Sequence, residues 1–298
     1  MLPAADYRVA ASLCHAGQMV SDLREEDLAE VAETRATMTV VAADELREDV
    51  ARVEDLDLDG VPGRLYEPQD AAGMMVFFHG GGFVFGDLDT HDAHCRRLSN
   101  RTGWAVLAVD YRLAPEQPYP AAVEDADTVA AWLLAHATGL GPAATRLAVG
   151  GDSAGANLAL GLALRQPGLF AAQVFVYPFL DPSCESYDRT ILDPDFGVED
   201  LAWFWRLYLQ GRDPGTDPDL DPLRAESFAG LPPALVQLAE LDVLTAPGRQ
   251  LAERMASDGV PVEVETYSGV GHGFWRHPDN DRHAPALDGI RDFLAKVG

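Results

Sequence analysis

RLAVGGDSAGANLALGLALR, residues 146–165, decides the fold: an apolar run enters Gly151-Asp152-Ser153-Ala154-Gly155 and leaves in an alanine- and leucine-rich stretch. Arg146 to Val149 reads as a buried strand and Ser153 to Arg165 as a helix, so Gly-x-Ser-x-Gly occupies a strand-to-helix turn. A serine on such a turn has a strained backbone and an exposed hydroxyl at a helix N-terminus, where partial positive charge favours a developing oxyanion. Side chains at the flanking positions would crowd the strand and helix, which is the reason for glycine there. An ordinary helix-capping serine is the bland alternative.

Outward from this turn, further apolar runs have the length of buried parallel strands: Met74 to Phe78, Ala105 to Val109, Val174 to Tyr177 and Ala234 to Leu238. Helical stretches fall between or after them, at Glu124 to His136, Ala246 to Ser257 and Ala286 to Val297. Alternation of this kind predicts right-handed crossovers and a mostly parallel α/β sheet with helices on both faces. Ahead of it, alternating Arg52 to Leu58 and an extended segment around Leu65 and Tyr66, separated by Gly60, Pro62 and Gly63, predict a hairpin-like opening. The first forty-five residues read as amphipathic helix. Between Pro178 and Leu231 the pattern breaks, with Pro182, Pro194, Pro214, Pro218 and Pro222 around the aromatic set Phe196, Trp203, Phe204, Trp205 and Tyr208. So long an excursion from a sheet is expected to roof a pocket as well as to pack on the body.

At 298 residues and 47% hydrophobic content the chain suits one domain with a single large core. It has no apolar run long enough for a membrane span or a secretory core, which predicts a soluble, unexported protein. Cys14, Cys95 and Cys184 are odd in number and widely spaced, against a disulfide framework or zinc site and in keeping with a reducing cytoplasm. Acidic residues outnumber basic ones 48 to 22, a formal charge of −26, with Lys296 the single lysine. Nucleic acid, which needs a basic surface, is excluded as an expected partner. The same excess gives a self-repelling surface and would suit high salt, where repulsion is screened.

His79-Gly80-Gly81-Gly82 follows the first buried strand, at the sheet edge where open α/β sheets place ligands. The backbone N–H groups of Gly81 and Gly82, with that of Ala154, are the expected oxyanion donors. A phosphate loop is the rival, but no Lys-Ser/Thr pair follows and no Gly-x-Gly-x-x-Gly frame is complete. Among eight histidines, His272 is the best base: Gly271-His272-Gly273-Phe274 lies in a loop after an expected strand, Val262 to Tyr267. His277 and His283 are expected to face solvent. An orienting carboxylate belongs beyond a strand end between serine and histidine, and Asp242 fits, with Glu240 as substitute. His91 and His94 suggest a metal only by spacing, with no second ligand cluster, and are read as helix start and packing. Asp110-Tyr111-Arg112 is read as a loop tied by side-chain hydrogen bonds near the site.

Together these residues resemble the hormone-sensitive-lipase-like carboxylesterases of the α/β-hydrolase superfamily, from about Leu56 to the end. The likeness rests on His79-Gly80-Gly81-Gly82-Phe83, Asp110-Tyr111-Arg112-Leu113-Ala114-Pro115-Glu116, Gly151-Asp152-Ser153-Ala154-Gly155, Asp242 and His272-Gly273-Phe274. Ala156 stands where a further glycine is frequent, and Asp242-Val243-Leu244-Thr245 lacks the family's common Asp-Pro-Leu-x-Asp wording. The resemblance implies an α/β-hydrolase fold with a helical cap from about residues 1–45 and 183–222, and hydrolysis of small, short-acyl esters without cofactor or metal. It makes Ser153 nucleophile, His272 base and Asp242 its orienter, with Phe83 and Phe204 touching substrate. Amide or formamide hydrolysis, acyl transfer, or a non-catalytic ligand receptor are the alternatives on the same frame, and homodimerisation is left open.

Overall fold

The computed structural model describes residues 23–193, 196–215 and 217–297. After helix α1 (Glu25–Ala43), strands β1 (Arg52–Leu58) and β2 (Val61–Glu67) form an antiparallel hairpin. Then β3 (Met74–Phe78), β4 (Ala105–Val109), β5 (Leu147–Asp152), β6 (Ala172–Val176), β7 (Ala234–Ala239) and β8 (Val262–Tyr267) complete an eight-stranded sheet. Its order is β1-β2-β4-β3-β5-β6-β7-β8, antiparallel at the first two pairings and parallel from β4 onward. The connecting helices are α2 (Asp92–Thr102), α3 (Ala121–His136), α4 (Ala154–Arg165), α6 (Thr245–Ser257) and α7 (His283–Lys296); α5 (Val198–Leu209) lies in the insertion between β6 and β7.

Strand side chains alternate across the sheet, and because helices cover both faces each set needs an apolar partner. Met74, Val76 and Phe78 of β3 join a core with α3, α4 and α6, whereas Met75 and Phe77 meet Leu98 of α2 and Ile290 and Phe293 of α7 on the opposite face. All five β3 positions are buried, as are all five of β4. At the edge the demand lapses: β1 pairs only with β2 and buries only Leu58, its aspartates and Val53 lying toward water.

Among the N-terminal residues expected to contribute to a cap, 1–22 lie outside the described residues. The remainder, α1, is bound to α5 through Asp27. That carboxylate is 1% exposed and accepts both Arg206 Nη groups at 2.7 and 2.8 Å and Trp203 Nε1 at 2.9 Å. Burial works against its charge, yet hydrogen bonds from Arg206, Arg24 and Trp203 prevail and hold it far below the usual carboxylate range. About two turns from the far end of α1, Arg35 donates to the carbonyls of Val84 and Ala114. So α1 bridges the insertion and the glycine loop.

Candidate active site

The strand-to-helix turn is as tight as its glycines imply. Ser153 has φ 53° and ψ −118°, and its own N–H donates to Val176 O at 2.9 Å. A Cβ at Gly155 would lie 1.9 Å from Phe78 O, and one at Gly151 would lie 2.4 Å from Gly155 C. Backbone meets backbone there, so only glycine fits. Strain at the serine costs on the order of 1–3 kcal/mol and is held by the surrounding sheet. Ser153 is not a capping serine, since its hydroxyl makes no hydrogen bond to the α4 N-terminus. Its Oγ lies 3.0 Å from His272 Nε2 instead.

His272 Nδ1 lies 2.8 Å from Asp242 Oδ2, while Leu244 N–H donates to Oδ1 at 2.8 Å. Both partners are buried. Glu240, the alternative carboxylate, points elsewhere: exposed, it accepts the Gly269 N–H at 2.8 Å and braces that loop. Burial disfavours a charged imidazole, but Asp242, then Asp193 and Asp152, more than offset it and raise the His272 pKa above 6.5.

Gly80 N–H donates to Asp152 Oδ1 at 2.8 Å, and this pins the glycine loop beside the turn. The N–H groups of Gly81, Gly82 and Ala154 find no acceptor among the described residues, and both glycines line the cavity that holds Ser153 and His272. That cavity, about 550 Å³, is walled by Phe85, Phe179, Phe196, Trp203 and Phe204, and by Thr34 and Met38 of α1. Phe204, expected to touch substrate, lines this cavity.

Phe83 does not. It is fully buried, stacked on Tyr208 with ring centroids 4.0 Å apart, and stays outside the cavity; φ 63° at Phe83 turns its ring into the core, while Phe85 two residues on forms the wall. His283 is also corrected: it starts α7 buried, its Nδ1 bonded to Trp275 O, because the loop folds back on the core. The remaining motifs are structural in geometry. Tyr111 OH donates to His79 O at 2.7 Å and Arg112 is paired with Asp125, so this segment braces the glycine loop. His91 and His94 pack at the start of α2, His94 4.1 Å from the Trp275 ring, and among the described residues no three potential ligands converge.

These buried histidines carry a stability prediction. Burial pushes His79 down to about 4 and lowers His91 and His94 well below 6.5. The unfolded chain takes up such protons near pH 6.5 while the folded chain resists them. Stability is thus complete above that value and lost as pH falls toward 4, at a cost on the order of 3 kcal/mol for His79 alone. Thermal melts from pH 7 to pH 4 are expected to show a steady fall in melting temperature; a flat profile would contradict this assignment.

A family model described as the α/β-hydrolase fold matches residues 75–276. The chain belongs to the α/β-hydrolase family. Within it, the chain is 40% identical over 239 residues to Esterase LipI of Mycobacterium tuberculosis, covering 75% of each. It is 38% identical over 241 residues to an ethyl acetate hydrolase of Pseudomonas putida, covering 75% of this chain and 76% of that one. Among solved structures, a hyperthermophilic esterase from Pyrobaculum calidifontis superposes with a TM-score of 0.79 at 34% identity, over 91% of this chain and 93% of the other. An esterase of the bacterial hormone-sensitive lipase family superposes with 0.80 at 32%, over 93% and 99%. The resemblance read from the motifs is borne out. The sequence reading passed over Asp193, Tyr177 and Phe196 as neighbours of His272; a short polar side chain in a proline-rich insertion carries no local signal of such a place.

Proposed function

We infer that the protein hydrolyses carboxylic esters of small acyl groups through a serine acyl-enzyme. The observation that carries this reading is the chain of contacts from Ser153 Oγ to His272 Nε2 at 3.0 Å and from His272 Nδ1 to Asp242 at 2.8 Å, beside unengaged backbone N–H groups. Ser153 Oγ attacks the ester carbonyl carbon as His272 takes its proton; the carbonyl oxygen gains negative charge and is met by the N–H groups of Gly81, Gly82 and Ala154. Collapse expels the alcohol, which takes the proton from His272. Water then attacks the acyl-enzyme by the same route and releases the acid. Asp242 holds one imidazole tautomer and supports the imidazolium.

The acyl range follows from the roof. Residues from α1 and α5, with the 183–222 insertion, form the cap, and their aromatic walls leave about 550 Å³ for acyl and alcohol groups together. Across p-nitrophenyl esters from acetate to palmitate, kcat/KM is expected to peak at the short-chain end; a peak at palmitate would contradict the cap assignment. Among the described residues Cys95 and Cys184 are buried and neither forms a disulfide, which favours a cytoplasmic setting, and no described helix is long and apolar enough to cross a membrane.

A further inference from the structure

The insertion reaches His272 through a carboxylate that accepts the His272 backbone N–H as well as through an aromatic ring. Half-buried Asp193 accepts the backbone N–H of His272 through Oδ2 at 2.9 Å and that of Phe196 through Oδ1 at 3.2 Å. The Phe196 ring stands edge-on to the imidazole, centroids 5.3 Å apart and planes at 87°, and Tyr177 packs on the same ring at 4.4 Å. Asp242 fixes one ring nitrogen but leaves the backbone that carries the ring unsecured. That backbone is soft: His272 lies between Gly271 and Gly273, the latter at φ 80°. Asp193, 79 residues away in sequence, supplies the anchor.

We propose that Asp193 is a positioning residue for the base: its carboxylate ties Asp193 and Phe196 of the insertion to the main chain of His272, so that the insertion and the sheet together set where the imidazole sits. This rests on the reading of Ser153 and His272 as nucleophile and base. It also makes an electrical prediction. Burial opposes the imidazolium, Asp242, Asp193 and Asp152 favour it, Tyr177 is neutral, and Arg276 is the cation on the same loop. Removing the Asp193 charge therefore lowers the basicity of His272 and moves the acid limb of kcat/KM to lower pH.

The test compares wild-type enzyme with Asp193→Asn, Asp193→Ala and Asp193→Glu, measuring kcat and KM for p-nitrophenyl butyrate across pH and the stoichiometry of labelling by diethyl p-nitrophenyl phosphate. For the Asn and Ala variants we expect kcat about ten- to a hundredfold lower with KM changed by about twofold at most, as a misplaced catalytic group gives. Their acid limb should move down by a few tenths of a pH unit to about one unit, while the Glu variant, which keeps the charge, holds the wild-type limb. Wild-type kcat and an unmoved limb in the Asn variant would overturn the proposal, as would a kcat loss accompanied only by a lower melting temperature. A wild-type enzyme that cleaves no ester and takes no label at Ser153 would instead sink the underlying reading and this inference with it.

Discussion

Ser153→Ala is expected to lower kcat for p-nitrophenyl butyrate by about four to six orders of magnitude while leaving the melting temperature within a few degrees of wild type. The size follows from what is removed. Without Oγ no acyl-enzyme forms, and His272 is left facing a methyl group across the 3.0 Å contact that now joins it to the hydroxyl. The oxyanion donors and the cavity survive, so some acceleration over water remains. The fold survives for a separate reason: the φ 53° strain at position 153 is paid by the backbone, whichever small side chain sits there. Turnover within tenfold of wild type would remove Ser153 from the chemistry.

Gly155→Ala tests the scaffold under that serine. The added methyl would lie 1.9 Å from Phe78 O and 2.6 Å from His79 O, both backbone atoms between packed elements. No rotamer relieves such a clash, so α4 must move off β3. A loss of about 3 kcal/mol or more is expected, roughly 10 °C in melting temperature for a domain of this size, with activity reduced because the glycine loop moves too. Gly103→Ala is the control. Gly103 has φ 69° but nothing within 4 Å of an added Cβ, so backbone strain alone, about 1 kcal/mol, should be felt. Equal melting temperatures for the two variants would show that the close approach of α4 to β3 is not what requires glycine.

The frame was legible where burial is two-sided. β3 and β4 run over the same residues that the apolar runs mark, because a strand covered on both faces must be apolar throughout. β5 runs on to Asp152, past the expected end at Val149. Gly151 reads as the start of the turn, yet Gly150 and Gly151 pair with Phe77 and Phe78 of β3 and extend the strand into the elbow. Asp242 was legible from its place after β7, although only geometry separates it from Glu240, two residues earlier. Phe83 misled because adjacency to the glycine loop says nothing of which way a ring turns, and a positive φ sent it inward. Asp193 was invisible for a different reason: its contact with His272 spans 79 residues and is made to a backbone N–H, which leaves no pattern in side-chain types.

The account turns on one covalent event at one oxygen, and intact-protein mass spectrometry after treatment with diethyl p-nitrophenyl phosphate tests it most directly. One phosphoryl adduct per chain, mapped by peptide analysis to Ser153, appearing in step with loss of esterase activity and absent from Ser153→Ala, is the predicted result. Full esterase activity in an enzyme that takes no adduct, or an inactivating adduct at any other residue, would contradict it.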